Sequence, residues 1–174
     1  SQRRSARPTT CLPPAVPLAD GASLPLLGRA RRIRHRPGAR GGVWLEGDEI
    51  NVAGGAEHLP RRLRDWLRQQ ARLALAARAH AAAARLGRRI ARVSGRDMRS
   101  RWGSCSSQAT LAFCWRLILA PEPIIDYVVA HEVAHLVEMY HGPRFWSLVQ
   151  SLSPDVDEAR RWLRQNGPRL LRYG

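Results

Sequence analysis

Lysine is absent from this 174-residue sequence; all 29 of its basic residues are arginine. A GC-rich coding bias accounts for arginine in place of lysine. It does not account for 29 basic residues against 14 acidic ones, a net charge of +15. That excess points to contact with polyanions: nucleic acid, nucleotides or acidic protein surfaces. Cysteine is scarce. Cys11, Cys105 and Cys114 make an odd count without framework spacing, which excludes a disulfide scaffold and suits a reducing cytosol. No C-x-x-C pair is present, so a zinc site made by Cys105 or Cys114 with His35, His58 or His80 has no supporting spacing. No apolar run approaches the roughly 18–20 residues that span a bilayer. The start, SQRRSARPTTCLPPAVPLAD, is basic but broken by prolines and lacks the apolar run of about 7–15 residues that marks a signal peptide. There is no glycine-rich phosphate loop, and carboxylates for magnesium are few. A soluble, cytoplasmic protein is expected.

What is present suffices for one domain with a core: 44% of the residues are hydrophobic. Residues 1–20 have no periodicity and read as a tail, leaving 21–174 as a single domain, β-rich over 26–57 and with its catalytic core over 60–174. RARRIRHR, PGARGG and VWLEGDEINV read as short antiparallel strands joined by glycine turns. RRLRDWLRQQARLALAARAHAAAARLGRR has no internal Gly or Pro until Gly87 and predicts a long helix of about 25 residues. Leu63, Trp66, Leu67, Leu73, Ala77 and Ala81 are expected on its buried side. Arg61, Arg64, Arg68 and Arg72 share another face, either solvated or available to a polyanion such as nucleic acid. Residues 89–98 and 109–119 are strand-like, with SRWGSCSSQ a polar loop between them. Pro121 and Pro123 open a helix that Gly142-Pro143 breaks. RFWSLVQSL starts another, and Ser153-Pro154-Asp155 caps a last one that NGP at 166–168 ends. Strands, a long helix, strands and then helices make an α+β order.

The chemistry lies in HEVAHLVEMYHGPRFW, residues 131–146. His131 and His135 are four apart, so on a helix both imidazoles face one metal ion. Glu132 lies about 100° round the helix, where it reaches a water on that metal rather than the metal itself. A chance HExxH is expected on the order of 0.01 times in a chain of this composition. Catalytic zinc takes three protein ligands and keeps one open position. His141 is the candidate third ligand, provided the chain bends after about Met139. Glu138, back near the ligand face, is its rival. The spacing to His141 matches metzincins, but those carry a turn-making glycine where this chain has Glu138.

Four pieces carry a wider likeness: R-W-G-S-C-S at 101–106, W-R-L-I-L-A-P at 115–121, I-D-Y-V-V-x-H-E-x-x-H-L at 125–136 and H-x-P-x-F-W at 141–146. Together they resemble the YgjP-like metallopeptidase family, over nearly the whole chain apart from about the first 20 residues. HGPRF also resembles the SprT-like proteases, which act on proteins crosslinked to DNA. The resemblance implies a minimal zincin-like, gluzincin-like fold, one Zn2+ per chain, His141 as third ligand and a protein or peptide substrate. Two departures stand out. Tyr140 replaces the more usual asparagine before that histidine, and Ala109-Thr110-Leu111-Ala112 replaces a glycine-containing turn.

The expected reaction is hydrolysis of peptide bonds by a zinc-activated water, with Glu132 as general base. The strand over 110–117 is the expected platform for an extended peptide. Arg101, Arg116, Asp126, Glu138, Tyr140 and Arg144 are candidates for substrate contact or for orienting the ligands. Arg99 flanks the site too, and Arg101 could equally hold the loop by pairing with Asp97 or Asp126. Trp102, Trp115 and Trp146 read as core around the metal helix, and Cys105 as a loop thiol near the site. Two other readings compete: a metal-dependent nucleotide phosphoanhydride hydrolase, and a basic nucleic-acid-binding module with a structural zinc.

Overall fold

A computed structural model describes residues 14–174. Cys11 and most of the presumed tail lie outside the described residues. Residues 14–20 pack onto the domain: Val16 donates its backbone N–H to Arg172 at 2.7 Å, and Leu18 is buried in the core.

The elements run β1 (Ser23–Leu26), β2 (Arg29–Arg36), β3 (Val43–Glu46), β4 (Glu49–Ala53), α1 (Leu59–Arg85), β5 (Arg92–Arg96), β6 (Gly103–Cys105) and β7 (Thr110–Cys114). A 3₁₀ turn (Trp115–Leu119), α2 (Glu122–Ala134), α3 (Pro143–Leu152) and α4 (Val156–Leu170) follow. This is the α+β order expected. The first sheet has the order β1-β2-β4-β3 and is not wholly antiparallel. The β3–β4 hairpin folds back so that β4 lies parallel to β2, Arg32 opposite Glu49.

Helix α1 buries Leu59, Leu63, Leu67, Ala71, Leu75, Ala79 and Ala83, a strict every-fourth-residue stripe. The expected Leu73, Ala77 and Ala81 face outward instead; Leu73 is 51% exposed. Alanine at the buried positions lets α1 come close to α2, which it packs against along with the 3₁₀ turn and β5. The turn between β1 and β2 comes close to the start of α2 at Gly28. Its φ of +77° suits glycine alone, and a Cβ there would stand 2.9 Å from the Cα of Pro121.

The second sheet, β5-β7-β6, carries the site, and here three expectations need correction. The polar loop contains an edge strand, β6. The strand over 109–119 stops at Cys114 and turns into the 3₁₀ segment. And β7 is the central strand, paired with β5 on one side and β6 on the other, so it has no free edge for a peptide.

The helix ends also differ. The N-cap position of α4 is Asp155, which makes no side-chain capping bond; Ser153 instead closes α3 by donating its backbone N–H to Val149. α4 also runs through Pro168 to Leu170. Arg164, whose carbonyl the proline cannot serve, is exposed to water, so the helix tolerates the loss.

Candidate metal and catalytic site

Helix α2 is apolar nearly all round and lies in the core between α1, α3 and α4. It ends one turn earlier than the sequence suggests. The N–H groups of Leu136 and Val137 bond back three residues, to Val133 and Ala134, and tighten the helix to a close at His135. The chain then turns through 136–141 without a left-handed residue, since the non-glycine positive φ angles among the described residues are at Leu27 and Ala109. That is why Glu138 can stand where a metzincin needs glycine.

The turn brings His141 back. One ring nitrogen from each of His131, His135 and His141 lies within 4.8 Å of the others. Nε2 of His135 and Nε2 of His141 face each other at 3.0 Å. Two ligands on a tetrahedral zinc, at the usual zinc–nitrogen distance, stand roughly 3.3 Å apart, close to the spacing of the His135–His141 pair. Nδ1 of His135 donates to the Glu138 carbonyl at 3.1 Å, which leaves its Nε2 lone pair free toward the metal position. Ligation needs neutral imidazoles. Burial first, then His135, His141 and the Arg160 charge, hold His131 down at about 4. Burial likewise lowers His135.

Helix α3 supplies the floor. Phe145, fully buried, stacks on His135 with ring centres 4.5 Å apart and meets His131 edge-on at 5.0 Å. Trp146 closes the side, 5.7 Å from His131, with the Arg160 guanidinium over its outer face. Nothing in the helix pattern singled out Phe145; its role depends on how α3 crosses α2.

Glu132 sits beside this cluster and is only 7% exposed. Burial pushes its carboxyl up to about 7, against the field of Arg101. The cleft of about 270 Å³ that it shares with the histidines is lined also by Arg101, Gly103, Ser104, Cys105 and Met139. Cys105, whose thiol burial and then Glu132 push up to about 11, is a neutral thiol at physiological pH.

The remaining candidates separate. Arg101 lines the cleft. Arg116 does not: it is fully buried, bonded to Asp97 at 2.6 Å and to the Tyr173 carbonyl at 2.7 Å, and cannot meet substrate. Arg99 lies 3.7 Å from the same Asp97. Asp126 orients no histidine; it pairs with Arg78 at 2.5 Å, on the far side of α2. Glu138 acts through its backbone carbonyl, while its carboxylate pairs with the exposed Arg144 at 3.2 Å. Tyr140 points into solvent, 86% exposed. Trp115 is core as expected, and Trp102 packs against Gly167. His35 bonds the Gly54 carbonyl, and Cys114 donates to the Met98 carbonyl, so neither joins a metal site.

No curated protein matches the chain. Among solved structures it is similar to the metallopeptidase zymogen of Pyrococcus abyssi abylysin, at 22% identity over 52% of this chain and 93% of that one, with a TM-score of 0.47. A family model described as a YgjP-like metallopeptidase domain matches residues 2–166, including most of the stretch read as a tail. A match over that much of the sequence decides the assignment: this chain belongs to the YgjP-like metallopeptidase domain family.

Proposed function

We propose that the protein is a zinc endopeptidase, with His131, His135 and His141 holding one zinc and Glu132 acting as general base. The observation that carries this reading is the placement of Glu132. It is a buried carboxyl with its pKa pushed up to about 7, in the same cleft as three converging imidazoles. Zinc, when bound, would supply a Lewis acid that acidifies a water and polarises the scissile carbonyl. Glu132 takes the proton from the attacking water and returns it to the leaving amide nitrogen, a task best done by a group whose pKa is close to the working pH. Arg101 is the cation of the cleft lining, and its role in this reading is to oppose negative charge on the carbonyl oxygen.

The peptide lies along β6 rather than β7. β6 pairs only with β7 among the described strands, contacts α2 and contributes Gly103, Ser104 and Cys105 to the cleft, so its free edge can add one more strand. No feature of the cleft favours a nucleotide. Of the arginine stripe on α1, Arg68 lies 3.9 Å from Asp97 and Arg72 bonds Gln69, while Arg61 is exposed. Nucleic acid stays a secondary partner, carried by net charge alone. No described helix is long and apolar enough to cross a membrane. A cytoplasmic setting rests on the cysteine pattern.

The test is zinc content and hydrolysis of an unstructured protein by wild type and Glu132→Gln. One zinc per chain in both, with turnover lost by at least ~1,000-fold in the variant, is the expected result. Full activity in Glu132→Gln sinks the assignment of the base.

A further inference from the structure

At residue 103 the second sheet comes against the active helix. A Cβ built on Gly103 would stand 2.8 Å from Cγ of Glu132, 3.2 Å from its Cδ and 3.2 Å from Cδ1 of Phe113. We propose that Gly103 is a positioning residue for Glu132: the missing side chain is the seat that holds the base against β6 with its carboxylate in the cleft. Among the contacts of a Cβ at 103, the one to Cγ of Glu132 is too short to persist, while those to its Cδ and to Phe113 are merely tight. Phe113 cannot yield much, because it is fully buried in the central strand and Gly103 is paired directly opposite it. The strand cannot retreat easily either. β6 is held to β7 along its length, and Trp102 accepts a bond from the Cys114 N–H at 2.9 Å. What moves is the Glu132 side chain, and Cγ is the pivot from which its carboxylate swings. A displacement of about 1 Å at a reacting group costs on the order of 100-fold in rate.

Gly95 is the matched control. It faces the same Phe113 from β5, on the opposite side of β7, yet a Cβ there meets only the Arg68 carbonyl at an ordinary 3.8 Å. Neither glycine has a positive φ, so backbone conformation does not distinguish them; only the neighbour does.

The inference rests on Glu132 being the base, and the experiment separates the two. Turnover of an unstructured protein, zinc content and unfolding midpoint are measured for Gly103→Ala, Gly95→Ala and Glu132→Gln. Gly103→Ala is expected to retain one zinc and lose kcat by about 10- to 100-fold, with KM within about 3-fold of wild type. Gly95→Ala should keep wild-type kcat. An inactive Glu132→Gln beside a fully active Gly103→Ala overturns this inference alone, whereas an active Glu132→Gln overturns the reading beneath it. Loss of zinc from folded Gly103→Ala in step with activity also overturns it, since the glycine would then serve the metal helix. If Gly103→Ala folds poorly, Glu132→Ala decides. Removing the Glu132 side chain should make Gly103→Ala harmless to the unfolding midpoint, and an equal loss in both backgrounds would place the clash at Phe113 and refute the proposal.

Discussion

Arg116 and Glu132 both carry charged groups out of water, and they meet opposite surroundings. Arg116 has Asp97 at 2.6 Å, the Tyr173 carbonyl at 2.7 Å and the face of Trp115 at 4.6 Å from its guanidinium carbon. The pairing returns the favour, holding Asp97 below its ordinary pKa. Glu132 has no such partner within its own cleft, only the field of Arg101, and its pKa climbs to about 7. A buried charge that is matched ties the chain together, here joining the strand β5 exit to the C-terminus. A buried charge left unmatched is held at a higher energy, and that makes it ready to take a proton.

The largest effect should come from the ligand set. His141→Ala is expected to lower zinc affinity by more than the ~10–100-fold that loss of an outer hydrogen bond costs, leaving little zinc after chelation, as read by plasma mass spectrometry. Retention of zinc would move the third ligand to Glu138. Next comes the matched charge. Arg116→Ala strips Asp97 of its main partner and empties a buried volume, for a cost of about 3 kcal/mol, reduced by the partial exposure of Asp97. That corresponds to an unfolding midpoint lower by roughly 6–12 °C, with zinc content unchanged.

The unmatched charge should behave in reverse. Because the folded pKa of Glu132 lies above its unfolded value, its contribution to stability is full below about pH 4.5 and is lost as pH rises through about 7. Glu132→Gln should therefore stabilise the metal-free protein at pH 8, by about 1–3 kcal/mol, and not at pH 4. Equal midpoints at both pH values would show that the carboxylate is better solvated than its burial indicates. The smallest effect concerns the turn between β6 and β7. Ala109 sits at φ 59°, where alanine is strained, so Ala109→Gly should stabilise by about 0.5–1 kcal/mol, seen as a slightly higher midpoint without change in turnover.

The site was legible to the extent that it is local. His131, Glu132 and His135 are related by helical spacing, so their common face follows from the backbone alone. His141 needed a bend, and the histidine itself with Gly142-Pro143 signalled one; its earlier start, in the tightened turn at 135–137, did not show in the residues. Arg116 and Asp126 were misplaced because an arginine or aspartate near a motif carries no sign of which partner it will meet. Their partners, Asp97 and Arg78, are 19 and 48 residues away. β6 was missed because three residues are too few for an alternating pattern, and its strand character comes wholly from pairing with β7.

By itself the sequence determined the α+β order, the long helix, the helix that carries His131, Glu132 and His135 and the metallopeptidase class, because each of these depends on patterns within one or two turns of chain. Tertiary structure alone decided which strand offers its edge, which arginine is structural, and how closely Gly103 approaches Glu132. Those outcomes depend on distances between segments far apart in sequence, which packing sets and no local spacing encodes.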